Sequence, residues 1–161
     1  MDIVYQPIGF IHTPFEEIAG MPIQPRAAKG VCGTVEVFPQ YTAGLKDLEG
    51  FSHIYLIYHF HRNQDYQLIV TPFLDTQARG LFSTRAPRRP NPIGISVVNL
   101  ISVDENIIEI ENVDVLNRTP LLDIKPFIPD FNAQGEIRVG WLERARDHIS
   151  QKNADGRFAD E

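Results

Sequence analysis

Cysteine is nearly missing from this chain: Cys32 stands alone among 161 residues, so no internal disulfide can brace the fold, a usage that fits a reducing, cytoplasmic compartment. Long apolar runs are missing too. Nothing approaches the ~20 apolar residues of a membrane helix. The N-terminus, MDIVYQPIGF, has an acid at position two, no basic region and no small-residue cleavage site, so it does not read as a signal peptide. Positive charge is scarce, with 15 Lys and Arg against 21 Asp and Glu and a net charge of -6. That excludes a general nucleic-acid binder, which must neutralise many phosphates at once, and leaves room only for a local basic patch. No G-x-G-x-x-G follows the first strand and no βαβ alternation is visible, which counts against a Rossmann-type dinucleotide fold. There is no internal repeat.

What remains is ordinary globular composition, 43% hydrophobic and 22% charged, in a length suited to one domain with one core. Flanked by Val31, Val35 and Val37, Cys32 reads as buried packing rather than as a nucleophile. The densest local signal is GLFSTRAPRRPNPIG, from Gly80 to Gly94. It sets Arg85, Arg88 and Arg89 among Pro87, Pro90 and Pro92. Each proline fixes its own φ and pushes the residue before it towards extended conformations, so the loop is stiff and cannot be helical through the prolines. Arginine forks held in advance suit a carboxylate or a phosphate, although a solvated basic turn would use the same residues.

Along the chain, residues 3–11 read as a strand interrupted by Pro7, and 12–30 as a long loop with Gln24-Pro25-Arg26 at its stiffened tip. Residues 31–38 read as a strand with a bulge at Gly33, followed by a short helical turn. In the strand 51–61, parity puts Ile54, Leu56, Tyr58 and Phe60 on one face and His53, Tyr55, Ile57, His59 and His61 on the other. Three histidines on one face admit a metal site, but with no adjacent acid or thiol, a hydrogen-bonding role for His61 fits better. A short strand falls within 67–73. A hairpin follows, 93–103 and 106–116 joined at Asp104-Glu105-Asn106. Its second arm aligns Ile108, Ile110, Asn112 and Asp114, and an acid in such a row points to a pocket wall. Asn117-Arg118-Thr119-Pro120 reads as a turn into a strand at 121–128, where Asp123 and Lys125 share a face, and 137–139 as a last small strand. Trp141, Leu142, Ala145, His148 and Ile149 recur at helical spacing, predicting a helix over 141–151 and a tail beyond it. Together these give an all-β fold: an antiparallel β-barrel or sandwich over residues 1–140, with one C-terminal helix.

IGFIHTPF, GLKDLEGFSHIYLIYHFH, GLFSTRAPRRPNPIG and VDVLNRTPLLDIKPFIP, in that order over residues 6–130, resemble the TsaA-like family. That family includes the TrmO tRNA methyltransferases, which methylate the threonylcarbamoyl-modified adenosine beside the anticodon. The resemblance implies a single-sheeted barrel, bound S-adenosylmethionine, a tRNA substrate and a homodimer. Matched by motif, the cofactor contacts would be Gln24, Pro25 and Arg26 from the long loop, and His61, Asn63, Gln64 and Asp65 after the histidine strand. Arg85, Ile95, Asn112, Val113 and Asp114 would complete them. Arg88, Arg89, Asn117, Arg118, Asp123 and Lys125 are candidates for tRNA contact, with no catalytic residue and no metal assigned. The family's DGTP turn reads Asn117-Arg118-Thr119-Pro120 here, and the C-terminal domain of longer bacterial members is expected to be absent. Two other functions remain open: a module that binds S-adenosylmethionine or a small anion without chemistry, and a histidine-bound metal hydrolase.

Overall fold

Alternating apolar residues close six strands into a barrel, because each strand carries one face that must leave water and a closed sheet leaves no edge exposed. The computed structural model describes residues 1–22, 28–131 and 133–144. Its strands are β1 (Gly9–His12), β2 (Cys32–Val37), β3 (His53–His59), β4 (Ile69–Val70), β5 (Arg79–Gly80), β6 (Ile93–Asp104), β7 (Ile107–Glu111) and β8 (Thr119–Pro126). The barrel order is β1-β2-β7-β6-β3-β8, closed by β8 pairing with β1, and every pairing is antiparallel. Its interior is filled by residues such as Ile11, Val35, Ile54, Leu56, Ile108 and Leu121, all 0% exposed. At roughly 1.5–3 kcal/mol for each such side chain, this layer is the main source of stability.

Outside the barrel, β4 and β5 form a two-stranded ribbon. Beneath the arginine loop, Val70, Leu81 and Ala86 make a second small core against Phe73. The short 3-10 segment Leu81–Ser83 opens that loop, and the proline-bearing part is irregular as expected. The loop 38–51 holds two further 3-10 segments, Pro39–Leu45 and Leu48–Gly50.

The histidine strand follows its parity: in β3, Ile54, Leu56 and Tyr58 are buried while His53, Tyr55, Ile57 and His59 are half-buried. The hairpin forms too, with Glu105 at φ 51 in its turn. Other expectations are corrected. The first strand starts only at Gly9, with Ile3, Val4 and Tyr5 exposed. Cys32 is exposed rather than buried, because in β2 it lies on the opposite face from Val35 and Val37. Gly33 is not a bulge, since β2 keeps continuous register with β7. It is a close approach, where a Cβ would lie 2.7 Å from the His12 carbonyl oxygen. Register instead slips between Leu100 and Ser102 in β6 and, along β8, opposite Ile57 and Tyr58. Residues 137–139 form no strand. Gly140–Arg144 is a 3-10 segment, and the rest of the predicted helix, 145–151, lies outside the described residues.

Candidate active site

Asp114 owes its place to a break in the hairpin's second arm. β7 ends at Glu111 because Asn112 adopts φ 64, a left-handed conformation that asparagine tolerates better than most residues. The Gly30 backbone N–H donates to the Asn112 side-chain oxygen at 2.7 Å, and the Asn112 N–H donates to the Val31 carbonyl at 2.8 Å, which pins the break. Alternation therefore resets. Val113 and Val115 turn into the core at 0% and 2% exposure, and the expected row of Asn112 and Asp114 with the isoleucines ends here.

Asp114 meets a short chain of hydroxyls. The Ser96 hydroxyl donates to Asp114 Oδ1 at 2.6 Å, so the Tyr58 hydroxyl, 3.0 Å from Ser96 Oγ, donates to Ser96. Ser96 is one of two buried polar residues among those described, and this chain satisfies it. Burial pushes the Asp114 carboxyl up to about 6, opposed by the Ser96 hydrogen bond and the Arg85 charge. Burial and the Asp114 charge hold the Tyr58 phenol far above its usual range. At neutral pH, then, Asp114 is largely an anion and Tyr58 a neutral donor.

This carboxylate lines a cavity of about 660 Å³. Arg85, Arg89, Ile95 and Asp114 share its wall with apolar side chains that include Met21 and Phe73. Gly94 opens the space: a Cβ there would collide with the Tyr58 and Phe60 rings. A few polar groups on apolar walls in a volume of this size is the usual make-up of a small-ligand site.

Other expected site residues fall elsewhere. Gln24, Pro25 and Arg26 lie outside the described residues, although Ile18, Met21 and Pro22, just before them, line the cavity. His61, Asn63, Gln64 and Asp65 follow β3 outside this lining. His61 Nδ1 lies 3.4 Å from Thr119 Oγ1, and burial, then the Arg62 and His59 charges, lower its pKa and favour the neutral ring. Arg89 donates to the Thr84 and Ala86 carbonyls at 3.0 and 3.3 Å, so its guanidinium holds the loop's own shape. Asn117 acts as a staple, accepting from the Thr13 N–H at 3.1 Å and donating to Glu16 at 2.7 Å. Arg118 is exposed beside it at φ 60, which explains why the related turn carries glycine. Asp123 and Lys125, which share a face, pair with each other at 2.7 Å. Among the described residues, no group of three or more His, Cys, Asp or Glu is placed to hold a metal.

Several residues in or just behind the cavity wall carried no sequence signal. Tyr58 and Ser96 read as plain strand residues, and only the barrel register sets them beside Asp114. Trp141 reads as the buried face of a helix, yet it lines the cavity.

The model of the tRNA-methyltransferase O N-terminal domain matches residues 10–133. The chain belongs to this family. It is 54% identical to a probable S-adenosyl-L-methionine-binding protein of Pyrococcus abyssi, over 97% of this chain and 85% of that protein. It is 33% identical to a mouse tRNA (adenine(37)-N6)-methyltransferase, over 86% of this chain but only 34% of that protein. The crystal structure of TrmO from Pseudomonas aeruginosa superposes with a TM-score of 0.73 at 35% identity, over 88% of this chain and 63% of that one. The family's barrel is therefore present, and the chain spans less than two thirds of the TrmO chain it superposes on.

Proposed function

We propose that this chain is an S-adenosylmethionine-dependent methyltransferase that N-methylates adenosine in the tRNA anticodon loop, its threonylcarbamoyl-modified form in particular. The observation that carries the reading is the meeting of Arg85 and Asp114, from separate family motifs, with Ile95 on one cavity wall. The fit is chemical. Arg85 offers a carboxylate a fork of donors, Asp114 offers an amino group or a ribose hydroxyl an acceptor, and the apolar walls suit an adenine. When bound, S-adenosylmethionine supplies a methyl group already activated on sulfonium. The chain's own residues have to bind, align the incoming nitrogen and exclude water. Ser96 and Tyr58 fix the Asp114 carboxylate so that it need not reorganise when a ligand arrives.

For the tRNA, Arg118 is the best phosphate candidate because it is exposed, whereas Arg89 is bonded to its own loop. In the same reading the protein acts in the cytoplasm as a homodimer.

Calorimetric titration with S-adenosylmethionine tests the reading on wild type, Arg85→Ala and Asp114→Asn. Saturable binding by wild type, weakened roughly tenfold or more by each change, is expected, since truncating a charged contact costs about 1.5–3 kcal/mol. Wild-type affinity in both variants would move the cofactor out of this cavity. Methyl transfer to tRNA lacking the modification enzyme's methyl group is the companion assay. Binding without transfer to any tRNA would leave the binding-module reading in its place.

A further inference from the structure

Trp141 lies beyond residues 10–133, the span the family model matches, yet it forms part of the wall that Asp114 and Arg85 share. It is the chain's single tryptophan. Two contacts fix its ring. The indole N–H donates to the Ser83 carbonyl at 2.9 Å, and the Arg79 guanidinium carbon sits 5.5 Å from the ring centroid. Arg79 is itself anchored, its Nη2 2.6 Å from Asp75 Oδ2, and this bond holds the Asp75 carboxyl below the usual carboxylate range. The strand β5 and the start of the arginine loop therefore clamp the indole against the cavity. Leu142, next in the same 3-10 segment, lines the cavity as well.

The lining thus combines two chemistries. Arg85 and Asp114 are charged, and Trp141 with Phe82 adds planar aromatic surface, Phe82 being 75% exposed. A ligand that joins an amino-acid group to a purine has the same two parts. We propose that Trp141 is a ligand-binding residue, its indole forming the wall against which the purine of an adenosine-type ligand packs, with Leu142 beside it on the same wall. This rests on the S-adenosylmethionine reading above. An indole suits the task, since every purine presents a π-face and the clamped ring has lost its rotamer freedom before the ligand arrives. Arg79 is a positioning residue that acts only through the indole.

The test follows tryptophan emission of the full chain, with calorimetry in parallel, while S-adenosylmethionine, adenosine and methionine are added to wild type, Trp141→Phe, Trp141→Ala and Arg79→Ala. S-adenosylmethionine and adenosine are expected to change the emission saturably, and methionine is not. Trp141→Ala should weaken S-adenosylmethionine roughly 10- to 100-fold, as loss of a stacking partner does, and Trp141→Phe should retain most of the affinity. Arg79→Ala should shift the free protein's emission to the red and weaken binding less than Trp141→Ala. Calorimetric binding by wild type with unchanged emission and undiminished affinity in Trp141→Ala would overturn the inference and leave the proposed function standing. No binding by folded wild type would overturn both. If Trp141→Ala fails to fold, the wild-type emission and the phenylalanine variant decide: unchanged emission refutes the stacking wall.

Discussion

Asp114 sits where its charge is costly. Its ordinary value of 3.8 rises to about 6 in the fold, so between those pH values the folded chain holds a proton that the unfolded chain has released. Folding takes up that proton, and stability falls as pH rises through this window, by on the order of 2–3 kcal/mol once the group is ionised. Asp114→Asn keeps the Ser96 bond and removes the charge. It should raise stability against urea at pH 8 by about that amount and gain little near pH 4, while losing affinity for S-adenosylmethionine. An equal gain at both pH values would mean that the carboxylate is not strained. Ser96 and Tyr58 allow a paired test. Ser96→Ala leaves a buried phenol without its acceptor and should cost about 1–3 kcal/mol, whereas Tyr58→Phe removes the orphan together with the bond and should cost less. Denaturation midpoints of the two variants check the order, and the reverse order would break the donor direction from Tyr58 to Ser96 to Asp114.

Among the elements, β6 does two jobs. It carries Ser96 inward and, through Gly94, leaves room for the Tyr58 and Phe60 rings of β3 and the loop after it. Gly94→Ala would force backbone or ring movement and should cost about 1–3 kcal/mol, an overpacking penalty rather than one of turn strain. A chevron or urea titration reads this directly, and a neutral outcome would show that the rings give way freely. At the next strand, the left-handed Asn112 does what no propensity of β7 would do: it ends the alternation and turns Val113 into the core. The arginine loop is held by its own carbonyls and by the small core beneath it, so its stiffness is tertiary as well as prolyl.

At the scale of the whole molecule, a net charge of -6 would make the proposed tRNA binding depend on few contacts. Replacing the exposed Arg118 by Ala should reduce the slope of log affinity against log salt by about 1 if it meets a phosphate. Arg89→Ala should act first on stability, because it removes two bonds to loop carbonyls. Anisotropy titrations over a salt series separate the two, and an unchanged slope for Arg118→Ala would remove it from the proposed tRNA interface. Sedimentation tests the proposed homodimer, with a monomer at micromolar concentration as the refuting result.

The strands were legible along the chain, although their pattern left barrel and sandwich both open and only the family resemblance implied the barrel. Period-two alternation in 53–59 and 107–111, the turn at Asp104 to Asn106, and proline punctuation are local consequences of side-chain type, and they specify strands before any partner is known. Motif order placed the chain in its family for the same reason, since motifs are local strings. Partner-dependent features were not legible. Whether Cys32 faces in or out, whether Gly33 is a bulge or a close approach, and where β7 stops depend on register and on a backbone N–H arriving from Gly30. The site divides along the same line. Arg85 and Asp114 declared themselves as charges in unusual company, whereas Tyr58, Ser96 and Trp141 are ordinary residues brought to the candidate site by what lies across from them. Sequence determined the strands and the charged groups, because both follow from local chemistry; the tertiary structure alone decided which neutral side chains would meet those charges, because pairing across a closed sheet is a property of the whole chain.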